Sequence, residues 1–226
     1  MTRTAALIVA AGSGARFGGA KQFALLDGRP LVDWSCEAFQ AHPRIDGIIL
    51  VLPDAAGREE YLRRFSKMID VVPGGARRQD SVEAGFARLD AGRMDFILVH
   101  DSARPLLSAG LIDRVLEAAI TTGAAVPVVF FEDTLKEIEG GRVLRTIDRS
   151  RVGRVQTPQG FGRDILGRAL AAARSDGVTG TDEAYLVERL GGPVAVVAGD
   201  PGNIKITIPL DIITAEAIRH ENRSRV

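Results

Sequence analysis

The chain has 226 residues, 46% hydrophobic and 26% charged, with 29 Lys plus Arg balanced by 29 Asp plus Glu. Zero net charge excludes the basic excess of a general nucleic-acid binder, and no apolar run approaches the roughly 18 residues of a membrane span. The lone cysteine, Cys36, allows no internal disulfide, and no basic segment followed by a long apolar stretch opens the chain; a cytoplasmic protein with no nucleic-acid or membrane partner is expected.

The first apolar run predicts a strand over 5–10. It leads into AAGSGARFGGAKQF (10–23), which holds four glycines and two cations, Arg16 and Lys21. No helix is expected before about Pro30. Further strands are predicted over 47–52, 96–99, 124–130 and 194–198, all nearly continuous in apolar residues, as strands covered on both faces are. Between them, apolar residues at 3–4 spacing predict helices over 78–89, 111–120, 163–173, 181–190 and 210–219. This alternation predicts one α/β domain, 1–226, with a mostly parallel sheet that binds ligands at the carboxyl ends of its strands. The segment 132–159 breaks the pattern. Two short extended, polar runs flank EGGR, which reads as a β-hairpin, either a surface flap or an arm that packs on a second subunit. Trp34, Phe39 and Phe65 are expected in the core, Cys36 buried and inert, and His42 and His220 at the surface.

The glycine stretch admits several readings. A P-loop needs Lys and then Ser or Thr after its second glycine; Gly14 and Gly19 have the spacing, but Ala20 follows, and Gln22 follows Lys21. A dinucleotide fingerprint fits Gly12 and Gly14 but meets Phe17 at the third position, although Asp33 stands where a ribose-binding acid would. An open loop around a nucleoside triphosphate is the third reading. Glycines let backbone N–H groups approach phosphates, Arg16 offers a planar fork and Lys21 a compact charge. A glycine-rich turn with two solvated cations is the alternative.

ALIVAAGSGARFGGAKQF resembles the signature loop of nucleotidyltransferases. GGARRQDSV (74–82), VHDSARP (99–105), DT (133–134), DR (148–149), TPQ (157–159), TDE (181–183) and NIKIT (203–207) follow in the order found in the 2-C-methyl-D-erythritol 4-phosphate cytidylyltransferase family. Each motif is weak alone; the ordered set covers nearly the whole chain. Two departures stand out: Ala20 where the family usually has Pro, and Gly202 where Asp is common. The resemblance implies a Rossmann-like nucleotidyltransferase fold with an inserted β-arm. It also implies transfer of a cytidylyl group from CTP to methylerythritol phosphate, with release of pyrophosphate, in the non-mevalonate isoprenoid precursor pathway.

The attacking group is already a phosphate oxyanion, so the chemistry calls for alignment and charge stabilisation rather than a base. By resemblance, Arg16, Lys21 and Lys205 are the catalytic cations. Ala10, Ala11, Gly12, Gly14, Gly75, Ser81, Asp101 and Ser102 line the CTP site, with cytosine read mostly through backbone. Arg104, Thr134, Arg149, Thr157 and Thr181 hold the polyol phosphate. Thr134 and Arg149 lie on the arm, which in the family reaches a neighbouring subunit, so a homodimer is expected. Mg²⁺ is the expected cofactor, without a named protein ligand, because it favours phosphate oxygens and water. Simpler readings accompany these: Ser81 as a helix N-cap, Asp101 as a turn former before Pro105, Lys205 as a strand-edge lysine. His100, Asp101 and Ser102 form no catalytic triad, since neighbours on a strand point to opposite faces. Rival functions are ribitol 5-phosphate cytidylyl transfer, an NAD(P)-dependent oxidoreductase and a non-enzymatic nucleotide sensor. Some relatives carry a second enzyme of the same pathway at the C-terminus; the chain ends after its last helix, so that activity is expected to be absent.

Overall fold

The first apolar run forms β1 (Thr4–Val9), all six residues of it buried. In the computed structural model, which describes residues 2–54, 57–89 and 94–224, a hairpin of two short strands follows the glycine loop: β2 (Leu25–Leu26) and β3 (Arg29–Pro30). Next come α1 (Leu31–Ala41), β4 (Gly47–Leu52), α2 (Arg58–Arg64), β5 (Met68–Pro73), α3 (Arg78–Phe86) and β6 (Phe96–Asp101). The second half contains α4 (Ala109–Thr122), β7 (Ala124–Phe130), β8 (Leu135–Glu139), β9 (Arg142–Ile147), β10 (Gly153–Val155) and β11 (Gln159–Gly162). It closes with α5 (Arg163–Ser175), α6 (Glu183–Arg189), β12 (Ala195–Ala198) and α7 (Leu210–Ser224).

Eight strands form the central sheet. β1 lies between β4 and β6 and is parallel to both, and β5 extends the β4 side. β11 runs antiparallel between β6 and β7, β10 is antiparallel to β7, and β12 is parallel to β7. Chain order therefore leaves β1 in both directions, toward β4 and toward β6. That reversal opens a crevice at the carboxyl end of β1, where the glycine loop begins.

The period-two alternation of strands sorts the core. Ala5, Leu7 and Val9 face one layer with Val82 of α3, Leu166 of α5 and Leu186 of α6. Ala6, Ile8 and Ala10 face the other, with Phe39 of α1, Tyr61 of α2 and Leu111 of α4. A smaller cluster of Leu26, Leu31, Ile206 and Ala215 fastens α7 and the 203–207 segment to the β2–β3 hairpin.

The expected α/β architecture is present. The differences are local. The helix expected over 78–89 ends at Phe86, and the strand expected over 96–99 continues to Asp101. Six elements have no counterpart in the sequence reading: the short strands β2 and β3, and α2, β5, β10 and β11. β5 carries Asp70 and β10 carries Arg154, so neither reads as a continuous apolar run. The expected hairpin exists as a separate β8–β9 sheet turning at Gly140 and Gly141, with φ of 56° and 77°. Two consecutive positive φ values are what a two-residue turn between twisted strands requires. The hairpin is shorter than 132–159, because β10 returns to the central sheet and Gln159 opens β11. His42 corrects another expectation: it is 3% exposed, with Nε2 3.4 Å from an Asp113 carboxylate oxygen. His220 is exposed, Phe39 and Phe65 are buried, and Trp34 is half-buried. Cys36 is fully buried, and burial pushes its thiol far above the ordinary range.

Candidate active site at the sheet switch point

A cavity of about 530 Å³ opens at the carboxyl ends of β1 and β6. Its floor comes from Val9 to Ser13, its sides from 75–78 and 101–103, and Lys21 and Lys205 reach in from the loop and from the chain beyond β12. Lys21, Arg77, Arg78 and Lys205 line it, with Asp101 the one carboxylate among its lining residues. Four cations around a backbone-rich floor suit a polyanion carrying a flat polar group.

The glycine loop is held open by its own backbone. The Gly14 carbonyl accepts from the N–H groups of Phe17 (2.8 Å) and Gly18 (3.0 Å). Gly14 has φ +66°, and a Cβ there would lie 1.8 Å from the Gly19 carbonyl oxygen. Only glycine makes that turn without strain. Lys21 opens a single turn of 3₁₀ helix, and its Nζ donates to the Ile206 carbonyl at 3.0 Å. Burial, then repulsion from Lys205, lowers the Lys21 pKa from its ordinary value. Arg16 is exposed and does not line the cavity, although its charge also lowers the Lys21 pKa.

Asp101 ends β6, paired in register with Val9. Its backbone N–H donates to Thr157 Oγ1 at 3.0 Å. His100, one residue earlier, points to the other side of the sheet and packs edge-on against Phe39, with ring centroids 5.3 Å apart. The Arg104 carbonyl lies 3.1 Å from His100 Nε2, so that nitrogen carries the proton; Nδ1, 3.1 Å from Thr157 Oγ1, then accepts from the hydroxyl. Burial holds the imidazole neutral, its pKa pushed down to about 4. Thr157 thus links His100 to Asp101 from behind the cavity. His100 therefore forms no triad with Asp101 and Ser102; these two line the same cavity, Ser102 lying just beyond the end of β6 rather than on the opposite face as strand alternation predicts.

Three charged groups from other parts of the chain gather at Asp101: Lys205, Arg78 and, through Arg78, Glu183. Lys205 Nζ lies 2.5 Å from Asp101 Oδ2, and Arg78 Nε lies 2.9 Å from Oδ1. Arg78 Nη1 donates to both Glu183 oxygens at 2.8 Å. Burial opposes the Asp101 charge, but Arg78 and Lys205 outweigh it and hold the carboxyl well below the carboxylate range. Burial likewise opposes the Arg78 charge, and Asp101 and Glu183 raise its pKa in spite of it. Burial raises the Glu183 pKa, with Arg78 pulling the other way.

Seven of the eight expected nucleotide residues line the cavity: Ala10, Ala11, Gly12, Gly75, Ser81, Asp101 and Ser102. Gly14 instead shapes the loop. Ser81 lies within α3 rather than at its N-cap, which is Arg77. The Ser81 hydroxyl accepts from the Gly75 N–H at 3.1 Å and donates to the Arg77 carbonyl at 3.2 Å, so it ties the 74–77 turn to the helix. None of Arg104, Thr134, Arg149, Thr157 and Thr181 lines the cavity. Arg104 stands beside it, with Nη1 donating to the Asn203 carbonyl at 2.8 Å and burial lowering its pKa. Thr134, Arg149 and Thr181 are exposed, and the Arg149 guanidinium bonds the Glu132 carbonyl at the foot of the hairpin.

Besides Arg77, which lines the cavity without an assigned role, three residues that build the charge network escape the sequence reading: Arg78, Glu183 and Asn203. Asn203 is fully buried, and its Nδ2 donates to the Thr157 carbonyl at 2.8 Å, anchoring the chain two residues before Lys205. All three sit inside quoted motifs, beside residues with an expected role. The signal is a charged or amide residue a few places from such a residue; nothing in a single sequence says which of them is buried.

The fold and the cavity define a class: an α/β protein that gathers a polyanion over glycine backbone at the switch point of a mostly parallel sheet. Comparison with known proteins narrows it. The family model IspD, 2-C-methyl-D-erythritol 4-phosphate cytidylyltransferase, matches residues 4–221. The protein of that name from Symbiobacterium thermophilum is 43% identical over 218 residues, 95% of this chain and 92% of its own length. The bifunctional enzyme IspD/IspF of Anaeromyxobacter dehalogenans is 43% identical over 222 residues; the match covers 96% of this chain and 57% of that longer protein. The crystal structure of the Thermus thermophilus cytidylyltransferase superposes with a TM-score of 0.80 at 39% identity, covering 95% of this chain and 98% of that one. The chain belongs to the 2-C-methyl-D-erythritol 4-phosphate cytidylyltransferase family.

Proposed function

We propose that this chain transfers the cytidylyl group of CTP to 2-C-methyl-D-erythritol 4-phosphate, as the family name states, in isoprenoid precursor synthesis. The observation that carries the reading is the cavity itself, lined by Lys21, Lys205, Arg77 and Arg78 around a floor of small residues from Val9 to Ser13. A phosphate oxygen of the alcohol phosphate attacks the α-phosphorus of CTP. The new P–O bond forms as the bond to the bridging α–β oxygen breaks, and pyrophosphate leaves with that electron pair. The nucleophile is ionised at neutral pH, so the cations suffice: they draw the two anions together and take up the charge that builds on the leaving group. Arg16, exposed and outside the cavity lining but near enough for its charge to act on Lys21, adds its charge when the triphosphate arrives. Ala10, Ala11, Gly12 and Gly75 offer backbone groups to the base, with Ser81 beside them.

Among the described residues no group of three or more His, Cys, Asp or Glu forms a metal cage. Mg²⁺ held chiefly by phosphate oxygens and water would need no such cage, and both Asp101 oxygens are already taken by Arg78 and Lys205. The ion, when bound, supplies further neutralisation of the triphosphate.

A homodimer completes the reading. Thr134 and Arg149 are away from the cavity of their own chain, and the β8–β9 hairpin exposes Ile138, Val143 and Leu144. The arm of a second copy would present Thr134 and Arg149 to the polyol phosphate, while Arg104 and Thr181 serve it from the first; Thr157, buried and bonded to His100 and Asp101, supports the site from behind. A buried lone thiol and the lack, among the described residues, of any helix long and apolar enough to cross a membrane are consistent with a cytoplasmic site of action.

The rivals fare worse. Asp33, the residue a dinucleotide reading would set on a ribose, is buried on α1 and bound to Tyr61 Oη at 3.1 Å and Arg64 at 2.6 Å. Ribitol 5-phosphate remains the chemically nearest substitute acceptor. Pyrophosphate release measured with CTP and each alcohol phosphate in turn tests the assignment. Methylerythritol phosphate is expected to drive release, and release only with ribitol phosphate would overturn it.

A further inference from the structure

Lys205 reaches the cavity through a chain of charges whose far end lies outside it. Glu183, only 1% exposed, is the first residue of α6. Its position is fixed by its neighbours. Asp182 caps α6 by accepting from the Tyr185 N–H at 2.9 Å, and it accepts from Gln159 Nε2 of β11 at 2.8 Å. Both Glu183 oxygens take the Arg78 guanidinium, Arg78 takes one oxygen of Asp101, and Asp101 takes Lys205 with the other. Arg78 has the planar fork needed to serve two carboxylates at once, which a lysine cannot do.

We infer that Glu183 is a positioning residue for the transfer reaction, holding Arg78 against Asp101 and so setting where the Lys205 ammonium stands when the two anions arrive. Without Glu183, Arg78 has no second anchor, and its remaining partner is Asp101. Arg78 then competes for both Asp101 oxygens, and the seat of Lys205 is lost although Lys205 itself is intact. Asp101 bonded only to Lys205 would clamp that cation; bonded to Arg78 as well, it shares its charge and lets Lys205 turn to phosphate. This inference rests on the cytidylyl-transfer reading.

A double-mutant cycle in turnover tests it, because residues that act as one unit do not add. Glu183→Gln keeps the shape of the side chain and removes its charge. In the wild-type background it is expected to lower kcat about tenfold while KM for CTP stays within about twofold. In a Lys205→Ala background the same change is expected to alter kcat by less than about twofold, since the group it positions is gone. Glu183→Asp, which keeps the charge, is expected to recover part of the loss. Thermal melts confirm that each variant is folded; if Glu183→Gln does not fold, Glu183→Asp and Arg78→Lys carry the same cycle. Equal losses in both backgrounds, or wild-type kcat for Glu183→Gln, overturn the inference. If instead the unmodified protein releases no pyrophosphate from CTP with any alcohol phosphate, the transfer reading itself fails.

Discussion

Lys21 stands half-buried near Lys205, and that crowding has consequences that can be measured. Two cations kept close without ligand are strained by mutual repulsion, and a triphosphate relieves it. Replacing either Lys21 or Lys205 by Ala is expected to lower kcat about 10²–10³-fold, the usual cost of removing one preorganised charge contact, read by steady-state pyrophosphate release. Because burial lowers the Lys21 pKa, the protonated form that catalysis needs is lost at lower pH than for a free lysine. The kcat/KM for CTP should therefore fall on the alkaline side as pH rises through that lowered value, since this ratio reports groups of the free protein. Lys21→Arg, whose charge persists, should move that limb to higher pH; an unmoved limb would show that another group titrates.

At the scale of elements, the site depends on where strands and helices begin and end. Gly14 permits the loop to turn back on Gly19 after β1. Gly14→Ala forces a side chain into that contact at a left-handed φ, a strain of about 1–3 kcal/mol. The loop escapes by opening, so KM for CTP is expected to rise at least about fivefold with little change in thermal stability. The start of α3 is different, since Arg78 there is the shared partner of two buried carboxylates. Arg78→Ala leaves the buried Glu183 without its cation and Asp101 with Lys205 alone. A loss of about 3–5 kcal/mol in unfolding free energy is expected from denaturant titration, as for other broken buried ion pairs. The element boundaries that matter most are the least legible. The expected strand over 96–99 stops two residues before Asp101, because His and Asp look like a strand's end when only hydrophobicity is read. β11 escapes the hydrophobic pattern because its GFG core carries one large apolar residue, although it lies between β6 and β7.

For the whole molecule, the question is what the hairpin arm does. Ile138, Val143 and Leu144 are more than half exposed on a two-stranded sheet that, among the described residues, pairs with no further strand. Such a sheet has little hydrophobic support by itself, and a second copy would supply it. Sedimentation velocity is expected to show a dimer, and Ile138→Asp combined with Leu144→Asp to give a monomer with reduced turnover. A monomeric double variant with full turnover would remove the shared-site arrangement.

Residues read alone were enough for the layered α/β fold and for a ligand at the carboxyl ends of its strands. Strand hydrophobicity and the glycine loop are local in the chain, so both were visible there, and order of motifs carried Lys21, Asp101 and Lys205. Tertiary structure alone decided that Arg78 and Glu183, 105 positions apart, make one ion pair, that Arg16 stays outside the cavity and that His42 is buried. Those facts depend on burial and on charges from distant segments sharing a small volume. A side chain's type does not reveal its neighbours; the crossing of the sheet at β1 does.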